Sequence, residues 1–168
     1  MAGYKGHTAG AVVLCAVFVL IILLMPGMLL ASATGMLSDW QTLVGVFVVA
    51  ILLCLWPDVD TNSKGQDIFF GLAFIVDIIL IWIGRLEAAA YLGLLAMTPI
   101  VGKHRGWTHS RLAMLLIPLP IVLIPYVHNH NNLTFALLFY GAAVVGYFSH
   151  LLLDGLIFKS FRFKSKKW

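Results

Sequence analysis

Charge is what this chain lacks. Only 11% of its 168 residues are Asp, Glu, Lys or Arg, against about a quarter in an ordinary soluble domain. That leaves too few charges to dress a water-facing surface, which excludes a soluble globule, a disordered chain and a basic nucleic-acid module. Cysteine is scarce as well. Cys15 and Cys54 both sit inside apolar runs without metal-type spacing, so no disulfide framework or zinc finger is expected and both read as small buried residues. No repeat and no long linker divides the chain. Apolar sequence makes up 61% of the residues, and the class that remains is an integral membrane protein.

A bilayer-crossing helix needs roughly 20 mostly apolar residues. Six apolar runs answer to that description, about 10–31, 41–56, 67–84, 86–101, 111–127 and 134–154. The expected fold is therefore all-α, an integral membrane bundle of about six transmembrane helices. It forms one domain over 1–158, followed by a basic tail at 159–168. The second and fourth runs are short for a full crossing. The fifth holds Pro118, Pro120 and Pro125; each removes a backbone donor, so that helix is expected to kink or partly unwind. Lys5 and the Ala31-Ser32-Ala33 segment flank the first run as they would a secretory leader. The run is longer than a signal core, and it is expected to stay in the protein.

Orientation follows from the cations. If the six runs alternate, one face carries Lys5, Lys64, Lys103, Arg105, Arg111, Lys159, Arg162, Lys164, Lys166 and Lys167, and the other only Arg85. Positive charge stays on the cytoplasmic side, so both termini are expected there. The Lys159–Lys167 tail suits anionic lipid heads, and no specific nucleic-acid partner is expected. The location reads as a bacterial or archaeal cytoplasmic membrane.

The ligand-type residues fall on that same face. His7 precedes the first helix, Asp58 and Asp60 follow the second, His104 and His109 lie between the fourth and fifth, and His150 and Asp154 close the sixth. His150 and Asp154 are four apart, one helical turn, so both point the same way. Asp58 and Asp60 alternate after a proline and would share a face in an extended segment. His104 is expected in the loop and His109 near a helix start, with Thr108 as N-cap and the first-turn amides open to phosphate. Imidazole and carboxylate donors suit zinc, or manganese or magnesium. Seven candidates exceed the needs of one ion, so two divalent ions are expected, the arrangement that recurs in phosphoester hydrolysis. His128 and His130, in the opposite loop, read as solvated. Asp77, in mid-helix, should face the bundle interior as a structural hydrogen bond, a proton site or an outer-shell group.

Three motifs then resemble one family. Trp56-Pro57-Asp58-Val59-Asp60, His104-Arg105-Gly106-Trp107-Thr108-His109-Ser110 and Gly146-Tyr147-Phe148-Ser149-His150-Leu151-Leu152-Leu153-Asp154 look like the signature of the YdjM-like proteins, described as LexA-regulated, membrane-bound metal-dependent hydrolases. The resemblance runs from His7 to the end of the sixth helix. More remotely, the order His, Asp, His, then His-xxx-Asp is similar to the zinc-dependent phospholipase C and single-strand nuclease superfamily. That likeness implies His7, Asp58, His104 or His109, His150 and Asp154 as ligands. The second His-xxx-Glu pair of that superfamily is missing here, so two ions are implied rather than three.

The resulting expectation is a metal-dependent phosphoesterase acting on a lipid phosphoester at the cytoplasmic interface. Asp58 or Asp60 would serve as general base. Lys103, Arg105 and Arg111 would take the substrate phosphate, with Thr108, Ser110 and Ser149 supporting the ligands. Three other readings stay open: a nucleic-acid hydrolase, a non-enzymatic metal scaffold or sensor, and an ion or proton transporter using Asp77.

Overall fold

The computed structural model describes residues 3–25, 28–59, 64–101, 107–128 and 133–156, and among them every regular element is helical. In chain order these are α1 (Tyr4–Leu24), α2 (Met28–Leu37), α3 (Trp40–Leu55), α4 (Lys64–Trp82), α5 (Leu86–Val101), α6 (Arg111–Leu116), α7 (Pro120–His128) and α8 (Leu133–Leu153). Single 3₁₀ turns lie at Trp56–Asp58 and Trp107–His109. Four stretches are long and apolar enough to cross a membrane: Tyr4–Leu24, Trp40–Asp58, Lys64–Trp82 and Leu133–Leu153. Leu86–Thr98 and Arg111–Val127 are shorter apolar segments.

The centre of the bundle is a three-helix seam of small residues. α1 buries His7, Ala11, Cys15 and Val19 at four-residue spacing, the spacing that keeps side chains on one helix face. α3 offers Val46, Ala50 and Cys54 in the same register, and α8 offers Ala142, Gly146, Ser149 and His150. Between helices in lipid, close van der Waals approach replaces the hydrophobic drive, and small side chains permit it. Gly146 marks that approach: a Cβ built on it would stand 2.0 Å from the Ala50 carbonyl oxygen. α4 and α5 pack on the outside of the seam and keep much of their apolar surface exposed, as lipid contact requires.

Two expectations about the helices are corrected. The first run is not one helix through Ala31. α1 ends at Leu24, Met25 is extended (φ −90°, ψ 103°), and α2 is a separate helix. Pro26 explains the break, since proline disfavours a helical residue before it and donates no hydrogen bond. α2 folds back on α1: Ala33 and Leu37 bury beside Val19 and Ile22, and Thr34 Oγ1 donates to the Ile22 carbonyl at 3.5 Å. Nor is the Asp58 segment extended. Trp56–Asp58 is a 3₁₀ turn with Pro57 near its start, and Val59 remains right-handed helical (φ −65°, ψ −21°). Proline's fixed φ suits the first position of such a turn. The backbone through Val59 is therefore not the extended segment expected to let Asp58 and Asp60 share a face, and Asp60 itself lies outside the described residues.

The proline-rich run is interrupted as expected, with α6 and α7 separated at Ile117–Leu119. Helix ends are fixed by local chemistry. The Asp39 carboxylate caps α3, accepting from the Gln41 and Thr42 amides and from the Thr42 hydroxyl at 2.8 Å; these bonds, the hydroxyl first, hold its pKa below the usual Asp value. Gly84 (φ 76°) ends α4 and Gly155 (φ 67°) closes α8, both in the left-handed conformation that suits glycine after a helix.

Candidate metal centre

Five ligand-type side chains meet at one end of the bundle. α1 begins there at Tyr4, so His7 lies inside that helix and not before it as expected; α3 ends there in the turn bearing Asp58, the Trp107–His109 turn brings His109, and α8 ends there with His150 and Asp154. Their contacts form a line of alternating imidazole and carboxylate. His7 Nε2 is 3.5 Å from Asp154 Oδ1, and Asp154 Oδ2 is 3.7 Å from His150 Nε2. His150 Nε2 is 3.7 Å from Asp58 Oδ1, which is 3.3 Å from His109 Nε2. The His7 and His150 rings stack with centroids 4.2 Å apart and planes 18° apart. Gly155 stops α8 directly after Asp154, whose amide still bonds the His150 carbonyl at 3.1 Å, so the one-turn pairing of His150 with Asp154 is kept.

Burial is uneven along the line. The Asp154 side chain is 3% exposed and that of Asp58 33%. At the closed end, both ring nitrogens of His7 and of His150, together with Asp154 Oδ1, are buried with no hydrogen-bond partner among the described residues. Buried polar groups are nearly always satisfied, so this concentration points to a ligand. The spacing fits a small cation. Donors held at about 2.0–2.1 Å from a tetrahedral zinc stand roughly 3.3 Å from one another, and two trios can hold an ion, Asp58–His109–His150 and His7–Cys54–His150.

Cys54 is buried, as expected, and its sulfur also sits within this cluster. The thiol lies 3.1 Å from the His7 carbonyl oxygen and 3.4 Å from Ser149 Oγ. A thiol donates to a carbonyl whereas a thiolate would be repelled by it, so the contact assigns Cys54 and Ser149 to bracing α1, α3 and α8 around His7. The signal was available: Cys54 precedes Asp58 by four residues, one helical turn.

Thr108 is not the N-cap of the following helix. Ser110 is, its hydroxyl accepting from the Ala113 amide at 3.0 Å. That bond engages one of the first-turn amides that were expected to be open to phosphate. Thr108 Oγ1 lies 3.1 Å from His109 Nδ1 instead, the kind of contact that orients a ligand imidazole. Arg111 opens α6 two residues beyond His109 and is exposed. Lys103, His104 and Arg105 lie outside the described residues. Asp77 is half-buried in α4, and its Oδ1 has no hydrogen-bond partner among the described residues.

Fold and site together define an integral membrane helical protein with a histidine–carboxylate cluster at one end of its bundle. Over residues 4–163 the chain matches the family model described as YdjM inner membrane protein. It belongs to that family and is an integral inner-membrane protein. Searches of the curated proteins and of the solved structures find no significant match.

Proposed function

We propose that this protein is a membrane-embedded, metal-dependent phosphoesterase acting on a lipid phosphoester at the cytoplasmic face, with six crossings and both termini in the cytoplasm. The observation that carries the metal reading is the set of buried His7, His150 and Asp154 atoms that make no hydrogen bond among the described residues, lined up with Asp58 and His109. Each such buried atom costs on the order of 1–3 kcal/mol, and a bound cation relieves several at once. Protons relieve them less well, because protonating both stacked rings sets two cations face to face at 4.2 Å. Three neutral imidazoles and two carboxylates carry a charge of −2, which one divalent ion neutralises. Asp60 and His104 would complete the donors for a second.

An ion held there, zinc by donor type, supplies an acidified water and polarisation of the phosphoryl oxygen. Asp58 is the most exposed of the five side chains, and its carboxylate can accept a proton from attacking water. Arg111, with Lys103 and Arg105, supplies cations for the phosphate. The closed end at His7 and Asp154 keeps water away from the deeper donors. The phosphoester class rests on the likeness to the zinc-dependent phospholipase C superfamily, and the lipid substrate on a site at the end of membrane helices. The six-crossing topology adds Leu86–Thr98 and Arg111–Val127 to the four longer spans, and orientation rests on ten cations against one.

The test is a screen of phospholipids and nucleotide esters with the zinc-loaded protein in detergent. The expected result is release of a phosphorylated headgroup, abolished by a chelator and by His150→Ala. Turnover of nucleotide esters alone would redirect the reading to nucleic acid. A second reading has its own support: the five donors come from four separate segments, so an ion would fasten the helix ends together. In that case His150→Ala lowers the melting temperature and no ester is turned over.

A further inference from the structure

Tyr147 lies on α8, three residues before His150, and is fully buried. Its ring packs 5.8 Å from that of Trp56. Trp56 in turn meets Trp107 edge-on at 5.6 Å and is anchored by its Nε1 donating to the Leu95 carbonyl at 2.8 Å. The Tyr147 hydroxyl donates to the backbone carbonyl of Thr108. That acceptor sits in a turn only three residues long, whose backbone bond runs from the Ser110 amide to the Trp107 carbonyl. The next links follow directly, with Thr108 Oγ1 3.1 Å from His109 Nδ1 and His109 Nε2 3.3 Å from Asp58 Oδ1.

We infer that Tyr147 is a positioning residue for His109, acting through Thr108 and building on the metal-centre reading above. With Nδ1–H donating to the threonine hydroxyl, Nε2 is the nitrogen left to bind an ion, and it faces Asp58 Oδ1 at 3.3 Å. A neutral imidazole is fixed in this way by the bond its other nitrogen makes. The same aromatic cluster reaches Asp58 through Trp56 and Pro57, so one packed unit sets the separation of the two outer donors. α8 thus carries His150 and also controls a ligand on a turn far from it in sequence.

The experiment measures zinc affinity of the full-length protein in detergent by competition with a chromophoric chelator, with the absorption spectrum of the cobalt-substituted form as a second readout. Tyr147→Phe is expected to weaken zinc binding by roughly 10–100-fold and to alter the cobalt spectrum, while the metal-free protein stays folded with a melting temperature lowered only by the loss of one buried hydrogen bond. Thr108→Val should do the same, and Thr108→Ser should restore binding. Wild-type affinity in Tyr147→Phe overturns the inference and leaves the metal centre standing. If Tyr147→Phe fails to fold, the Thr108 pair decides, and equal affinities for valine and serine overturn it. A wild-type protein that binds neither zinc nor cobalt overturns both this inference and the metal reading beneath it.

Discussion

Replacing Gly146 with alanine inserts a methyl group where α3 and α8 nearly touch. Its Cβ would lie 2.0 Å from the Ala50 carbonyl oxygen, 2.7 Å from the carbonyl carbon and 2.8 Å from Cα. All three are backbone atoms, so no rotamer change relieves the clash. Moving from 2.0 Å to the 3.4 Å of ordinary contact requires the helices to part by about 1.4 Å. Overpacking costs about 1–3 kcal/mol, and a backbone obstacle places this substitution at the upper end. The site should register the shift. Gly146 is one turn before His150, and Ala50 is one turn before Cys54 and two before Asp58, so parting the helices widens the 3.7 Å separation of Asp58 and His150. A gap near ~5 Å no longer suits donors that stand roughly 3.3 Å apart around one zinc. Melting temperature and zinc content of purified Gly146→Ala should both fall. Gly71→Ala in α4, where a Cβ meets nothing within 4 Å, is the control; it should keep its zinc and be unchanged or gain up to ~1 kcal/mol. A Gly146→Ala protein with wild-type melting and zinc content would refute the close-packed seam as the support of the site.

Cys54→Ser should retain wild-type zinc content, because a hydroxyl can also donate to the His7 carbonyl; loss of zinc would make the thiol a ligand. Asp39→Ala should lower the melting temperature at neutral pH. The folded pKa of Asp39 is depressed, so its stabilisation is present above the unfolded value and is lost as pH falls through the lower folded one. The difference between variant and wild type should therefore shrink in acid melts, and a gap that grows in acid contradicts the cap. Asp77→Leu should raise stability by removing a carboxyl that costs roughly 2.5–3.5 kcal/mol at a membrane centre, without changing zinc affinity. Loss of function in that variant with zinc retained would reopen the transport reading.

The convergence of His7, Asp58, His109, His150 and Asp154 was legible because alternating helices return every second connection to the same end, and His150 and Asp154 share one helical turn. Local conformation was harder to read. Pro26-Gly27 is a strong break signal, but it lies inside a run whose apolar character suggested one long helix. At Pro57 the same residue type is compatible with an extended strand or a tight turn, and packing of Trp56 against Tyr147 and the Leu95 carbonyl selects the turn. Thr108 and Ser110 are both competent caps, and only the place where α6 begins decides between them. The roles of Cys54 and Tyr147 depend on partners 47 and 39 residues away, beyond what a local pattern specifies.

The measurement closest to the central claim is the metal content of the purified protein, by elemental analysis after dialysis against a weak chelator. A metal centre built from His7, Asp58, His109, His150 and Asp154 predicts at least one equivalent of zinc or another divalent ion per chain. It predicts loss of that metal in His150→Ala with the helical content retained. A wild-type protein that is metal-free and takes up none on adding zinc would contradict it.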